Sequence, residues 1–133
     1  MLKYKIIFSW IARLVAAFLM IQTLYFKFSG AEESKFIFSQ LGIEPWGRIG
    51  SGVVELIASI LLLIPRTTIY GALLGLGVIC GAILSHLFIL GIEIQGDGGL
   101  LFIYALLVFI SCLFLVLVNR GQIPFLKNYF KKN

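Results

Sequence analysis

The sequence predicts an all-α fold, an integral membrane four-helix bundle forming a single transmembrane domain over residues 1–133. Three observations predict it. Hydrophobic residues make up 60% of the chain and charged residues only 13%, where a soluble domain carries roughly a quarter of its residues charged. Apolar runs of about twenty residues follow one another with brief breaks, and about twenty helical residues cross a hydrocarbon core of about 30 Å. Basic residues flank those runs unevenly. So short a chain has no soluble core large enough to hide this apolar surface, and lipid is the expected solvent.

The first span is expected over about residues 6–26, after Lys3 and Lys5. The run is too long for a usual signal-peptide core, contains Arg13 and is followed by no small-residue cleavage motif, so it reads as a retained helix. The connection SGAEESKFIFSQLGIEP then has a cap candidate at Ser29, acids at Glu32 and Glu33 where a helix dipole favours them, and Gly42 to stop the helix. With Phe36, Ile37 and Leu41 on one face, it predicts a short amphipathic helix in the first outer loop, lying on the membrane surface or folded over the bundle as a lid.

The second span is expected over about residues 46–64 and the third over about 68–91. The third, YGALLGLGVICGAILSHLFILG, has small-xxx-small spacing at Gly71 with Gly75 and at Gly77 with Gly81. Such glycines let backbones approach closely, either inside the bundle or across a homo-oligomer seam. The fourth span is expected over about 99–118, after the turn GDGG with Asp97 near the helix start. Beyond it, Pro124 opens a basic amphipathic C-terminal tail in which Phe125, Leu126, Tyr129 and Phe130 face lipid and Lys127, Lys131 and Lys132 face headgroups.

Lys3, Lys5, Arg66, Arg120, Lys127, Lys131 and Lys132 fall on one side of the four spans, and Lys27, Lys35 and Arg48 on the other with most of the acids. The positive-inside bias puts both termini in the cytoplasm of a multi-pass protein of the bacterial inner membrane. The net charge of +5 is then a topology signal, and no basic stripe on a soluble domain supports nucleic-acid binding. Cys80 and Cys112 sit in separate spans without a CxxC pair, so neither a thiol relay nor a structural disulfide is expected. One histidine with no second His or Cys near it argues against a metal site. GDGG lacks the lysine of a phosphate loop.

Arg13 and Lys27 bracket RLVAAFLMIQTLYFK; the second span opens GRIGSGVVELIASILLLIP and the third ends GAILSHLFILG. Over nearly all of its length the chain resembles the DoxX-like membrane proteins, small four-span bundles named after a subunit of a thiosulfate:quinone oxidoreductase. The resemblance implies that Arg13, Lys27, Glu55 and His86 are the family's intramembrane polar residues; Leu24 stands where the family often has glycine. It also implies a redox-associated complex with a protein partner.

The polar residues that lipid would exclude give the candidate sites. At 1.5 Å per residue Arg13 lies roughly 12 Å deep from Lys5, and Glu55 roughly 15 Å deep from Pro65. Each alone costs at least about 2.5 kcal/mol in hydrocarbon, so a buried ion pair between Arg13 and Glu55 is expected, with Ser51 and Ser59 completing the carboxylate's hydrogen bonds. His86 falls in a second layer, at the depth of Gln22, Tyr25 and Lys27 and near Arg48. These five residues form a candidate headgroup site for a quinone or another amphiphile; His86 can donate to a quinone carbonyl, take up a proton, or satisfy a serine or backbone group, the last being the commonest role for such a residue taken singly. Two function classes stand open: the membrane subunit of a redox assembly with a quinone site, or a non-enzymatic accessory protein that stabilises or localises a larger complex.

Overall fold

The computed structural model describes residues 2–119. Five α-helices run in the order α1 (Leu2–Ser29), α2 (Glu32–Gln40), α3 (Trp46–Leu63), α4 (Thr68–Ser85) and α5 (Leu100–Val118). A single turn at Pro65–Thr67 joins α3 to α4, and α4 continues into a π turn at His86–Leu90. α1, α3, α5 and α4 with its two flanking turns are long and apolar enough to cross a membrane. The helices pack as a ring, α1 against α3, α3 against α4, α4 against α5 and α5 against α1. The tail expected after Pro124 lies outside the described residues.

The surface matches the lipid expectation. Ile7, Phe18, Ile57, Ile60, Leu84 and Ile110 are among many large apolar side chains exposed around the bundle. The interior mixes small residues with larger ones: Ala12 and Ala16 of α1, Ala58 of α3, Ala72 of α4 and Ala105 with Cys112 of α5 share one buried cluster with Leu19, Met20, Leu62, Ile79, Val108 and Leu115. Among helices whose outer faces are as apolar as lipid tails, close backbone approach and its dispersion contacts replace the hydrophobic drive. Gly71 is the extreme case. A Cβ there would come within 2.6 Å of the Leu62 backbone nitrogen, so α3 and α4 touch backbone to backbone. Gly75 faces side chains instead, the Cys112 sulfur at 3.1 Å from where its Cβ would stand and the end of Met20 beyond. The first glycine pair thus packs inside the bundle, whereas Gly77 and Gly81 have open space where a side chain would begin.

Two arginines finish helices other than their own. A helix end leaves carbonyls without partners, which is costly where water is absent. Arg13 of α1 donates its Nε–H to the Leu62 carbonyl in the last turn of α3, at 2.6 Å. Arg48 of α3 donates to the Lys27 carbonyl in the last turn of α1. Each adds a positive charge at the negative end of a helix dipole.

α2 folds back over the bundle because the chain reverses tightly at both of its ends. Gly30, at φ +72°, lets the Ala31 N–H reach the Phe26 carbonyl at 3.0 Å. Gly42, at φ +75°, closes a Schellman-type end, with the Ile43 N–H on Phe38 and the Gly42 N–H on Ser39. Ala31 holds the cap position expected for Ser29, which turns back to the Phe26 carbonyl. The buried face of α2 is Ser34 and Phe38, one position off the expected Phe36, Ile37 and Leu41 stripe. At the start of α5, Asp97 accepts the N–H groups of Ile94, Gly99 and Leu101 at 2.8–3.2 Å.

Candidate functional site

Beneath α2 the four long helices enclose a chamber of about 650 Å³. Gln22, Thr23 and Lys27 reach it from α1, Glu55 from α3, His86 from the end of α4 and Tyr104 from α5, with Ile37 and Phe38 of α2 over the top. The two layers expected from the sequence, one around Glu55 and one around His86, therefore share one chamber.

Glu55 is paired, but not with Arg13. Lys27 Nζ donates to Glu55 Oε1 at 2.7 Å, with both side chains largely buried. Side-chain direction explains the correction. On a helix each side chain leans toward the N-terminus. α1 and α3 are antiparallel, so Lys27 leans into the bundle and Glu55 leans up to meet it. Arg13, on the same helix as Lys27, also leans toward the start of α1, which carries it away from Glu55 and onto the end of α3 at Leu62. Leu62 lies seven residues beyond Glu55, about 10 Å along the axis. The guanidinium also stacks on Trp10, 3.5 Å from the ring centroid, and its Nη2 is buried without a partner among the described residues. Depth alone, counted from two ends of unequal overhang, had put Arg13 and Glu55 level.

The serines expected around Glu55 do not serve its carboxylate. Ser51 donates to the Arg48 carbonyl and Ser59 to the Glu55 carbonyl. Thr23 stands 3.3 Å from Oε2 instead, while also 2.8 Å from the Met20 carbonyl. A hydroxyl carries one proton, so Oε2 keeps acceptor capacity on the chamber side. Phe38 of α2 lies over Lys27, with Nζ 5.7 Å from the ring centroid, which ties the lid to the ion pair.

Of the five residues expected to bind a headgroup, Gln22, Lys27 and His86 line the chamber. Tyr25 does not: it is 74% exposed on the outer face of α1 and packs edge-on against Phe26. Arg48 does not line it either, being held by Glu44 at 2.9 Å and by the α1 end. Glu55 joins the set, and so does Thr23, on the same face of α1 as Lys27 one turn earlier, a residue that no charge or spacing signal in the sequence marks.

His86 is fixed by its own backbone. The Gly91 N–H donates to the His86 carbonyl at 2.7 Å, closing the π turn. Gly91 then has φ +83° and ψ 172°, a region essentially restricted to glycine, which aims its carbonyl back at the ring. Nδ1 lies 3.0 Å from that oxygen. A carbonyl only accepts, so Nδ1 carries the hydrogen and Nε2 of the neutral ring is an acceptor. Phe102 packs edge-on against the imidazole. Asp97 lies close by, at the chamber's rim. Burial alone would raise its carboxyl, but the backbone N–H groups of Ile94, Gly99 and Leu101 hold it below the usual carboxylate range.

Cys112 is buried and Cys80 half-buried, both as free thiols. Among the described residues no group of three His, Cys, Asp or Glu side chains converges on a metal position. Comparison with family models, with curated proteins and with solved structures finds nothing that this chain matches.

Proposed function

We propose that this chain is a DoxX-like membrane protein that binds the headgroup of an amphiphile, a quinone-type molecule in the first instance, as the membrane subunit of a redox-associated complex. The observation that carries the proposal is the convergence of Gln22, Lys27, Glu55 and His86 on one chamber with otherwise mainly apolar walls. A pocket of several hundred Å³ with few, fixed polar groups is what a largely apolar ligand with a polar head requires. The excess of basic residues at the end opposite α2 favours termini in the cytoplasm, with the chamber in the outer half of the bilayer. Its protein partner would then meet α2 and the 91–99 loop.

Mass spectrometry of the lipid extract of the purified protein tests the proposal. Wild type should carry a quinone or other amphiphile near one per chain, and Ala82→Trp, which fills the chamber from α4, should lose it while remaining folded. Wild type and variant with the same lipid profile, together with a stoichiometric protein partner, would favour the accessory function instead.

A further inference from the structure

We infer that the chamber selects a headgroup that donates hydrogen bonds, and so holds the quinol rather than the quinone form of such a ligand; this rests on the chamber being an amphiphile site. Two of the chamber's polar groups, His86 and Glu55, keep an acceptor that nothing in the fold occupies fully. Nδ1 of His86 is committed to the Gly91 carbonyl, which leaves Nε2 with a lone pair and no hydrogen. The bond through Nδ1 is the one the ring makes among the described residues, and the ring lines the chamber. Glu55 Oε1 is taken by Lys27, and Oε2 has only a shared, long contact with Thr23. Ser85 is no donor to the chamber either, since its hydroxyl is spent on the Gly81 carbonyl at 2.8 Å.

A hydroxyl placed between these groups finds an acceptor on each side, whereas a quinone carbonyl beside His86 Nε2 would set lone pair against lone pair. Of the roles the sequence leaves open for His86, the bond to a backbone group is the one observed, and it takes the hydrogen that a quinone carbonyl would need. Lys27, with hydrogens to spare beside Glu55, and the hydroxyl of Tyr104, which also lines the chamber, can donate to the oxygen of either form and so do not discriminate. Gln22 offers both a donor and an acceptor and does not discriminate. A site built to hydrogen-bond a hydroxyl rejects an analogue that lacks it, because its own buried groups are then left unpaired.

The test compares three probes of nearly one shape on the full chain in nanodiscs: decylhydroquinone under argon, its dimethyl ether and decylbenzoquinone. The pH is kept at about 8, where an ordinary imidazole is neutral. The hydroquinone should bind at least about tenfold more tightly than the other two. His86→Phe should shrink that preference to about threefold or less while still binding the ether, which shows that the variant is folded and its chamber intact. Equal binding of all three probes to wild type, or preference for the benzoquinone, would overturn the selectivity and leave the chamber as an amphiphile site. Binding of none would remove the amphiphile site itself, and the selectivity with it.

Discussion

In the half of the bundle nearer the chain termini, Ala16, Ala58, Ala72, Cys112 and Leu115 are sealed from any probe of the surface, while beneath α2 the same four helices stand around about 650 Å³ of space. Composition along each helix accounts for the difference. In the closed half, alanine and glycine let α3 and α4 meet at backbone distance. In the open half a mainly apolar lining, with Gly81 and Ala82 among its small residues, carries a few polar groups, and Lys27 with Glu55 bridges α1 and α3 by an ion pair. Both halves keep an arginine at the boundary, and both arginines serve helix ends. A charged side chain near a membrane helix end is thus explained by the carbonyls there before any ligand is invoked.

The largest expected effects separate the two charged centres. Lys27→Met leaves the Glu55 carboxylate without its partner and should cost about 3 to 5 kcal/mol, whereas the double variant Lys27→Met, Glu55→Leu should recover most of it. Arg13→Met should also destabilise, but its effect should add to that of Glu55→Leu within about 0.5 kcal/mol, since the two share no partner. Reversible unfolding in detergent checks both cycles. Strong coupling of Arg13 with Glu55 would join the two halves again.

Packing in the closed half is checked by glycine. Gly71→Ala drives a methyl group into the α3 backbone and should cost about 1 to 3 kcal/mol. Gly77→Ala, with nothing in its way, should stay within about 0.5 kcal/mol. If the two behave alike in the same unfolding assay, the bundle is not locked at Gly71.

At the open half, Gly91→Ala forces a non-glycine residue into the backbone of φ +83°, ψ 172° and should cost about 1 to 2 kcal/mol. It should also free the His86 ring, read as a change in the imidazole nitrogen signals by NMR. A smaller effect, about 1 kcal/mol, is expected for Asp97→Ala through the lost cap of α5. Because the folded Asp97 carboxyl is held below its ordinary value, its contribution is complete above about pH 4. It is lost as pH falls through the lower folded value. Wild type and Asp97→Ala should therefore converge in stability in acid; a gap that does not narrow at all as pH falls from neutrality would assign the cap's effect to something other than its charge.

The four long helices, α2 and the stop at Gly42 are legible in the sequence because apolar length, turn residues and dipole-matched acids are local signals. The chamber is only half legible. Depth counting brought Gln22, Lys27 and His86 together, since residues at one level of a small bundle must face one another or lipid. It failed for Tyr25, because depth says nothing about which face of α1 a residue occupies. Wheel position would have caught that: Thr23 and Lys27 are one turn apart on the inner face, with Tyr25 opposite. It failed for Arg13 because side chains lean toward the helix N-terminus, so two residues at equal depth on antiparallel helices reach away from or toward each other by their order along the chain. The tautomer of His86 rests on the carbonyl of Gly91, whose backbone angles no spacing rule supplies.

The central claim is that the half beneath α2, and not the lipid-facing surface, is where an amphiphile's headgroup resides. Photolabelling tests it most directly, using a decylhydroquinone that carries a diazirine beside the ring, followed by peptide mapping. The account predicts adducts confined to the chamber walls around Thr23, Ala82, His86 and Leu101, competed away by unlabelled decylhydroquinone. Adducts spread along the exposed faces around Phe18, Ile57 and Ile110, undiminished by competitor, would contradict it.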